Sequence, residues 1–138
     1  MRLSPEACRR LATAADHGIL ATRHPKRGVD GVPACFVLHG ELVAVPIDRV
    51  KPKAGRRLGR VANLERDPRA SLVVEHWDAT DWSKLWWVRL ALERSAAEPA
   101  AVAEIEAALR RKYPQYEGAA FEAVLVFRIV ELAGWAAR

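Results

Sequence analysis

The 138-residue chain has only two cysteines, Cys8 and Cys35. They lie far apart in unrelated apolar patterns, which argues against a disulfide-stapled scaffold and predicts free thiols in a reducing cytoplasm. No apolar run reaches the roughly 18 residues a membrane helix needs, so no membrane partner is expected. The segment Met1 to Glu6 carries no hydrophobic stretch resembling a secretion signal, which also points to a cytoplasmic protein. The four histidines, His17, His24, His39 and His76, show no ligand spacing with one another or with the cysteines, so no metal site is expected. Glycine-rich phosphate loops of the dinucleotide or P-loop kind are missing, as is a nucleophile elbow around any serine. Hydrolase chemistry therefore has little support, and no catalytic residue can be named.

What remains is an ordinary globular composition, 51% hydrophobic and 28% charged, in a length that predicts one domain over residues 1–138. The charge is not evenly spread. Between Arg49 and Arg69 stand eight basic residues, Arg49, Lys51, Lys53, Arg56, Arg57, Arg60, Arg66 and Arg69, against Glu65 and Asp67 alone. That segment holds a surplus of six positive charges, while the rest of the chain, with 14 basic and 15 acidic residues, carries a deficit of one.

The pattern within that segment is helical. From Gly55 to Glu65 the apolar residues Leu58, Val61, Ala62 and Leu64 recur at helical spacing. Lys53, Arg56, Arg57 and Arg60 follow i, i+3, i+4 and i+7 and share the other face. Like charges at that spacing cost a few tenths of a kcal/mol per pair, and cations in a first turn oppose the helix dipole. A bound anion relieves both penalties, and the free N–H groups of a helix N-terminus suit phosphate. The plainer alternative is a solvated arginine-rich helix face.

Elsewhere, Ser4-Pro5-Glu6 reads as an N-cap followed by proline at the first helical position, with the helix running to about Ala15. Gly18 to Thr22 predicts a strand, followed by a polar turn from Arg23 to Gly31. Pro33 to Leu38 and Glu41 to Pro46 predict a hairpin across His39-Gly40. Asp67-Pro68 ends the basic helix. Ala70 to His76 and Leu85 to Leu92 predict strands around a polar loop, Pro99 to Tyr113 a helix, and Glu122 to Leu132 a last strand. The expected fold is mostly β (α+β): a six-stranded antiparallel split β-barrel with two or three flanking helices.

Leu85-Trp86-Trp87-Val88-Arg89 is the second informative segment. Strand alternation sends Leu85, Trp87 and Arg89 to one face, and Trp86, Val88 and Leu90 to the other. Two adjacent tryptophans cannot both enter one small core. A subunit interface, core packing and ligand contact are all open for them. Arg89 is placed to stack on Trp87 or meet an anion.

Several segments together resemble a known family. They are Asp16-His17-Gly18-Ile19-Leu20-Ala21-Thr22, Val32-Pro33-Ala34-Cys35-Phe36-Val37-Leu38 and Asp48-Arg49-Val50-Lys51-Pro52-Lys53. With them go Asn63-Leu64-Glu65-Arg66-Asp67-Pro68-Arg69, Asp81-Trp82-Ser83-Lys84-Leu85-Trp86-Trp87-Val88-Arg89 and Lys112-Tyr113-Pro114-Gln115-Tyr116. The chain resembles the pyridoxamine-phosphate-oxidase-like split-barrel oxidoreductases, in particular the class that uses the deazaflavin coenzyme F420. The stretch from Leu90 to Pro99 departs from that class in having no glycine-containing hairpin.

The resemblance implies a homodimer with its cofactor in a groove at the subunit interface. The cofactor phosphate would be held by Lys51, Lys53, Arg56 and Arg57, with Arg60 one turn further on. The backbone around Pro33 to Phe36, with Pro33 and Cys35 as its cofactor-binding residues, would face the ring system. The implied function is hydride transfer between F420 and an unsaturated small-molecule electron acceptor. FMN is the alternative cofactor, and a non-catalytic carrier or sensor the alternative role. Nucleic-acid binding is not expected, because the surplus charge is confined to one segment and the aromatics are not interleaved with it.

Overall fold

A computed structural model describes residues 1–48 and 59–137. Among them, three helices flank a single seven-stranded antiparallel sheet. Helix α1 (Pro5–Ala14) starts where the Ser4 hydroxyl accepts from the Ala7 N–H at 3.2 Å, with proline in the first turn. It buries Cys8 and Ala12. Strand β1 (Gly18–His24) then pairs on one side with β2 (Gly28–Ala34) and on the other with β5 (Arg69–His76).

The sequence expectation of six strands is corrected here. The predicted polar turn at 23–31 is largely strand. Only Pro25-Lys26-Arg27 turns, with the His24 Nδ1 accepting from the N–H groups of Lys26 and Arg27, both at 3.0 Å. Gly28 follows with φ +87°, the left-handed residue that a three-residue hairpin requires. Val29 to Pro33 lacks a regular apolar alternation and bears glycine and proline because β2 is an edge strand, exposed at four of its seven positions. The predicted strand Pro33–Leu38 is also split. Ala34 ends β2, Cys35-Phe36 make a corner, and β3 (Val37–His39) begins a short hairpin with β4 (Leu42–Asp48).

Helix α2 (Gly59–Arg66) stops before Asp67-Pro68 as expected. β5 pairs with β6 (Trp86–Arg94), β6 with β7 (Phe121–Ala136), and β7 with β4. Helix α3 (Pro99–Lys112) connects β6 to β7. The strand order is β2-β1-β5-β6-β7-β4-β3. The two end strands do not pair with each other among the described residues, so the sheet is not closed.

Alternation decides the two faces of the sheet. Leu20, Leu72, Val74, Val88, Leu90 and Leu92 point inward and join Phe36, Val43, Val45, Leu125 and Phe127 in the main core. A second cluster under α3 holds Ala44, Ile105, Leu109, Tyr116 and Val126. At Gly18 the packing leaves no room for a side chain. A Cβ there would stand 2.8 Å from the Val73 carbonyl oxygen and 2.9 Å from Leu72 Cδ1. No helix among the described residues is long and apolar enough to cross a membrane.

Candidate functional site

The basic segment enters from β4 and leaves into α2. Lys51, Lys53, Arg56 and Arg57 lie outside the described residues. Arg60 is half-buried in the first turn of α2, a turn that carries no acid. What the structure does show is how α2 is fixed to the sheet. Asn63 is buried, and its Nδ2 donates to Thr22 Oγ1 at 3.0 Å and to Asp30 Oδ2 at 2.9 Å. Asp30 in turn accepts from Arg27 Nε at 2.9 Å and Nη2 at 2.8 Å. These charge-assisted bonds from Arg27, and then the one from Asn63, hold the Asp30 carboxyl far below its ordinary range.

The far end of α2 is clamped as well. Asp67 accepts from Arg69 Nε at 3.0 Å and Nη2 at 2.9 Å, and Arg23 Nη1 lies 3.5 Å away. The Arg69 hydrogen bonds lower the Asp67 carboxyl to about 2. Residues on β1, β2 and β5 thus set the position of the helix that follows the basic segment.

Pro33 and Cys35 are placed differently from each other. Pro33 is exposed on the outer face of the sheet, opposite Ile19. Cys35 is a half-buried free thiol that packs against the α3 cluster. The corner between them and β3 is pinned from α3. The Tyr113 hydroxyl accepts from the Phe36 N–H at 3.0 Å and donates toward the Asp16 carbonyl at 2.7 Å. The Lys112 Nζ donates to the Phe36 carbonyl at 2.9 Å. Burial pushes the Tyr113 hydroxyl up to about 12 and the Lys112 ammonium down.

The outer face presents a strip of mostly small and apolar side chains. In register across four strands run Gly31, Ala21, Ser71 and Ala91, and beside them Pro33, Ile19, Val73 and Arg89. Ile19 is 43% exposed and Val29 63%. Small side chains in a row let a planar ring or a second sheet approach the backbone closely.

Sequence reasoning missed Asn63 and Thr22. Thr22 stands at an inward position of β1 beside Leu20, and a hydroxyl there requires a buried partner. That was the available signal. The tryptophan strand follows its predicted alternation: Val88 and Leu90 are buried, Trp86 packs against the core, and the Arg89 guanidinium lies 5.5 Å from the Trp87 ring centroid.

No family model matches the chain, and no curated protein matches it in sequence. Solved structures do match in shape. An FAD-binding protein from Mesorhizobium loti is 15% identical with a TM-score of 0.68, covering 97% of this chain and 93% of its own. The heme storage protein HutZ from Vibrio cholerae is 18% identical at 0.66, covering 96% and 94%. A pyridoxamine 5'-phosphate oxidase candidate from Corynebacterium glutamicum is 11% identical at 0.59, covering 97% and 94%. Identities this low speak to fold alone. The chain has the split-barrel-like fold of these proteins, mostly β, with one open seven-stranded sheet.

Proposed function

We propose that this chain binds a phosphate-bearing flavin-type cofactor and acts as an oxidoreductase on a small unsaturated acceptor. The observation that carries the reading is the meeting of three features on one fold. A strongly basic segment leads into α2, α2 is bolted to β1 and β2 through Asn63, and a strip of mostly small and apolar side chains lies on the outer face of those same strands. The likeness in shape to an FAD-binding protein and to a pyridoxamine 5'-phosphate oxidase candidate supports the cofactor class.

Lys51, Lys53, Arg56 and Arg57, with Arg60, would hold the phosphate and any further acidic groups. Pro33 and the backbone toward Cys35 would border the ring. F420 is the preferred cofactor, because six surplus charges suit a tail that carries glutamates after its phosphate; FMN is the alternative. When bound, such a group supplies hydride transfer, and the protein binds it, orients it and excludes water.

The row Gly31, Ala21, Ser71 and Ala91, small side chains on the outer face with Gly31 exposed and the other three half-buried, supports a homodimer built on this face. Incubating the protein with reduced F420, and separately with reduced FMN, against enones, quinones and tetrapyrroles tests the enzyme reading. Faster cofactor oxidation with protein than without is expected. Binding with no oxidation by any acceptor would leave a carrier or sensor instead.

A further inference from the structure

All five tryptophans of the chain gather in one place. Trp77, Trp86, Trp87 and Trp135 line a cavity of about 300 Å³ together with Val73, Leu85, His76 and Glu75. Trp82 packs on Trp77 with ring centroids 6.2 Å apart. Trp87 and Trp135 are register partners on β6 and β7, and Glu75 is the register partner of Trp87 on β5. Both neighbours Trp86 and Trp87 reach the cavity because it sits where β6 begins, at the margin of the sheet. Trp77, Trp82 and Trp135 are 65%, 66% and 40% exposed. Leaving that much indole in water is unfavourable in a chain that could carry smaller residues there, and it marks a ligand surface.

The charges around the cavity select the kind of ligand. Glu75 is its one carboxylate, and Glu75 makes no ion pair or hydrogen bond among the described residues. The nearby acids Asp78 and Asp81 are already matched by Lys84, at 3.8 and 3.7 Å. Arg89 lies over Trp87 and opposite Val73 in register, and it lines a second cavity with Arg2 and Glu131. His76 stacks on Trp86 with an interplanar angle of 20°. Several indole faces with one unmatched carboxylate form an environment that attracts an organic cation through ring quadrupoles and direct charge.

We infer that the tryptophan cavity binds an organic cation of the quaternary ammonium type, with the indoles as walls and Glu75 as counter-charge. The site is distinct from the basic segment and does not depend on the cofactor reading.

Benzyltrimethylammonium, benzyl alcohol and benzoate serve as cationic, neutral and anionic probes, titrated by calorimetry while the five indole N–H signals are followed by NMR. The cation should bind about tenfold tighter than the alcohol, move the Trp77 and Trp135 signals, and leave benzoate without measurable binding. Glu75→Gln should weaken the cation about three- to fivefold and leave benzyl alcohol unchanged. Added salt should weaken only the cation in the unsubstituted protein, which tests the charge even if the variant does not fold. Equal affinity for the three probes, preference for benzoate, or a salt-independent cation affinity would overturn the proposal. So would indole signals that respond to none of the probes because a second copy covers the cavity.

Discussion

Lys112 grips Phe36 twice. Its Nζ donates to the Phe36 carbonyl at 2.9 Å and lies 4.0 Å from the centroid of the Phe36 ring. Phe36 is fully buried at the corner between β2 and β3, and Tyr113 satisfies its N–H from the same helix terminus. The end of α3 is thereby tied to the corner that leads out of Pro33 and Cys35.

Cutting that tie should be costly. Lys112→Met keeps the stem but loses the hydrogen bond and the ring contact, and should cost about 1–2 kcal/mol in urea unfolding. Tyr113→Phe strands the Phe36 N–H and should cost about 1–3 kcal/mol. Tyr113 also has a pH signature. Its folded pKa is raised from 10.0 to about 12, so between those values the unfolded chain loses the proton first and stability falls as pH rises. The wild type should lose stability more steeply than Tyr113→Phe from pH 10 to 12. Parallel curves would show that the hydroxyl is not held as described.

Asn63→Leu fills the same space but removes the amide donor to Thr22 and Asp30, leaving Asp30 only Arg27. A loss of about 2 kcal/mol is expected. Thr22→Val added to it should cost little more, because the two side chains share one bond. Additive losses in the double variant would contradict the shared network.

Acid should expose the two clamps on α2. Asp30 and Asp67 both have folded pKa values below the ordinary 3.8, Asp67 at about 2. Their contribution is complete above that ordinary value and is lost as pH falls through the folded values. The Tm of the wild type should therefore fall toward that of an Asp30→Asn, Asp67→Asn double variant between pH 4 and 2. A constant gap over that range would mean that neither carboxylate is stabilised by its arginine.

The open row on the outer face is the test bed for assembly. Ala91→Arg and Ala21→Arg place a long charge among Gly31, Ser71 and one another, at half-buried positions that no inward packing needs. Sedimentation should show a dimer for the wild type and a monomer for the variants, with folded circular dichroism in both. A wild-type monomer would refute the homodimer.

The sequence was most legible where periodicity and caps agreed. Ser4-Pro5 placed α1, Asp67-Pro68 ended α2, and the alternation through Trp86 to Leu90 assigned the faces of β6. It failed at β2, because an exposed edge strand needs no apolar alternation and Val29 to Pro33 looks like a loop. It also missed the corner at Phe36, whose polar partners Lys112 and Tyr113 lie more than 70 residues away. Of the proposed site, the charge was readable and the bolt was not: Asn63 looks like a surface polar residue until Thr22 and Asp30 are seen beside it. The gathering of the five tryptophans is likewise a product of strand order, since Trp135 reaches Trp87 only through the β6–β7 pairing.

The central claim is that the basic segment holds the phosphate and acidic tail of a flavin-type cofactor. Calorimetric titration of the wild type with F420 and with FMN, repeated on a Lys53→Ala, Arg57→Ala double variant, tests it most directly. F420 should bind the wild type more tightly than FMN. The double variant, with its thermal unfolding unchanged, should lose tenfold or more in F420 affinity at about 1 kcal/mol per contact. Unchanged affinity in the double variant, or no binding of either cofactor to the wild type, would contradict it.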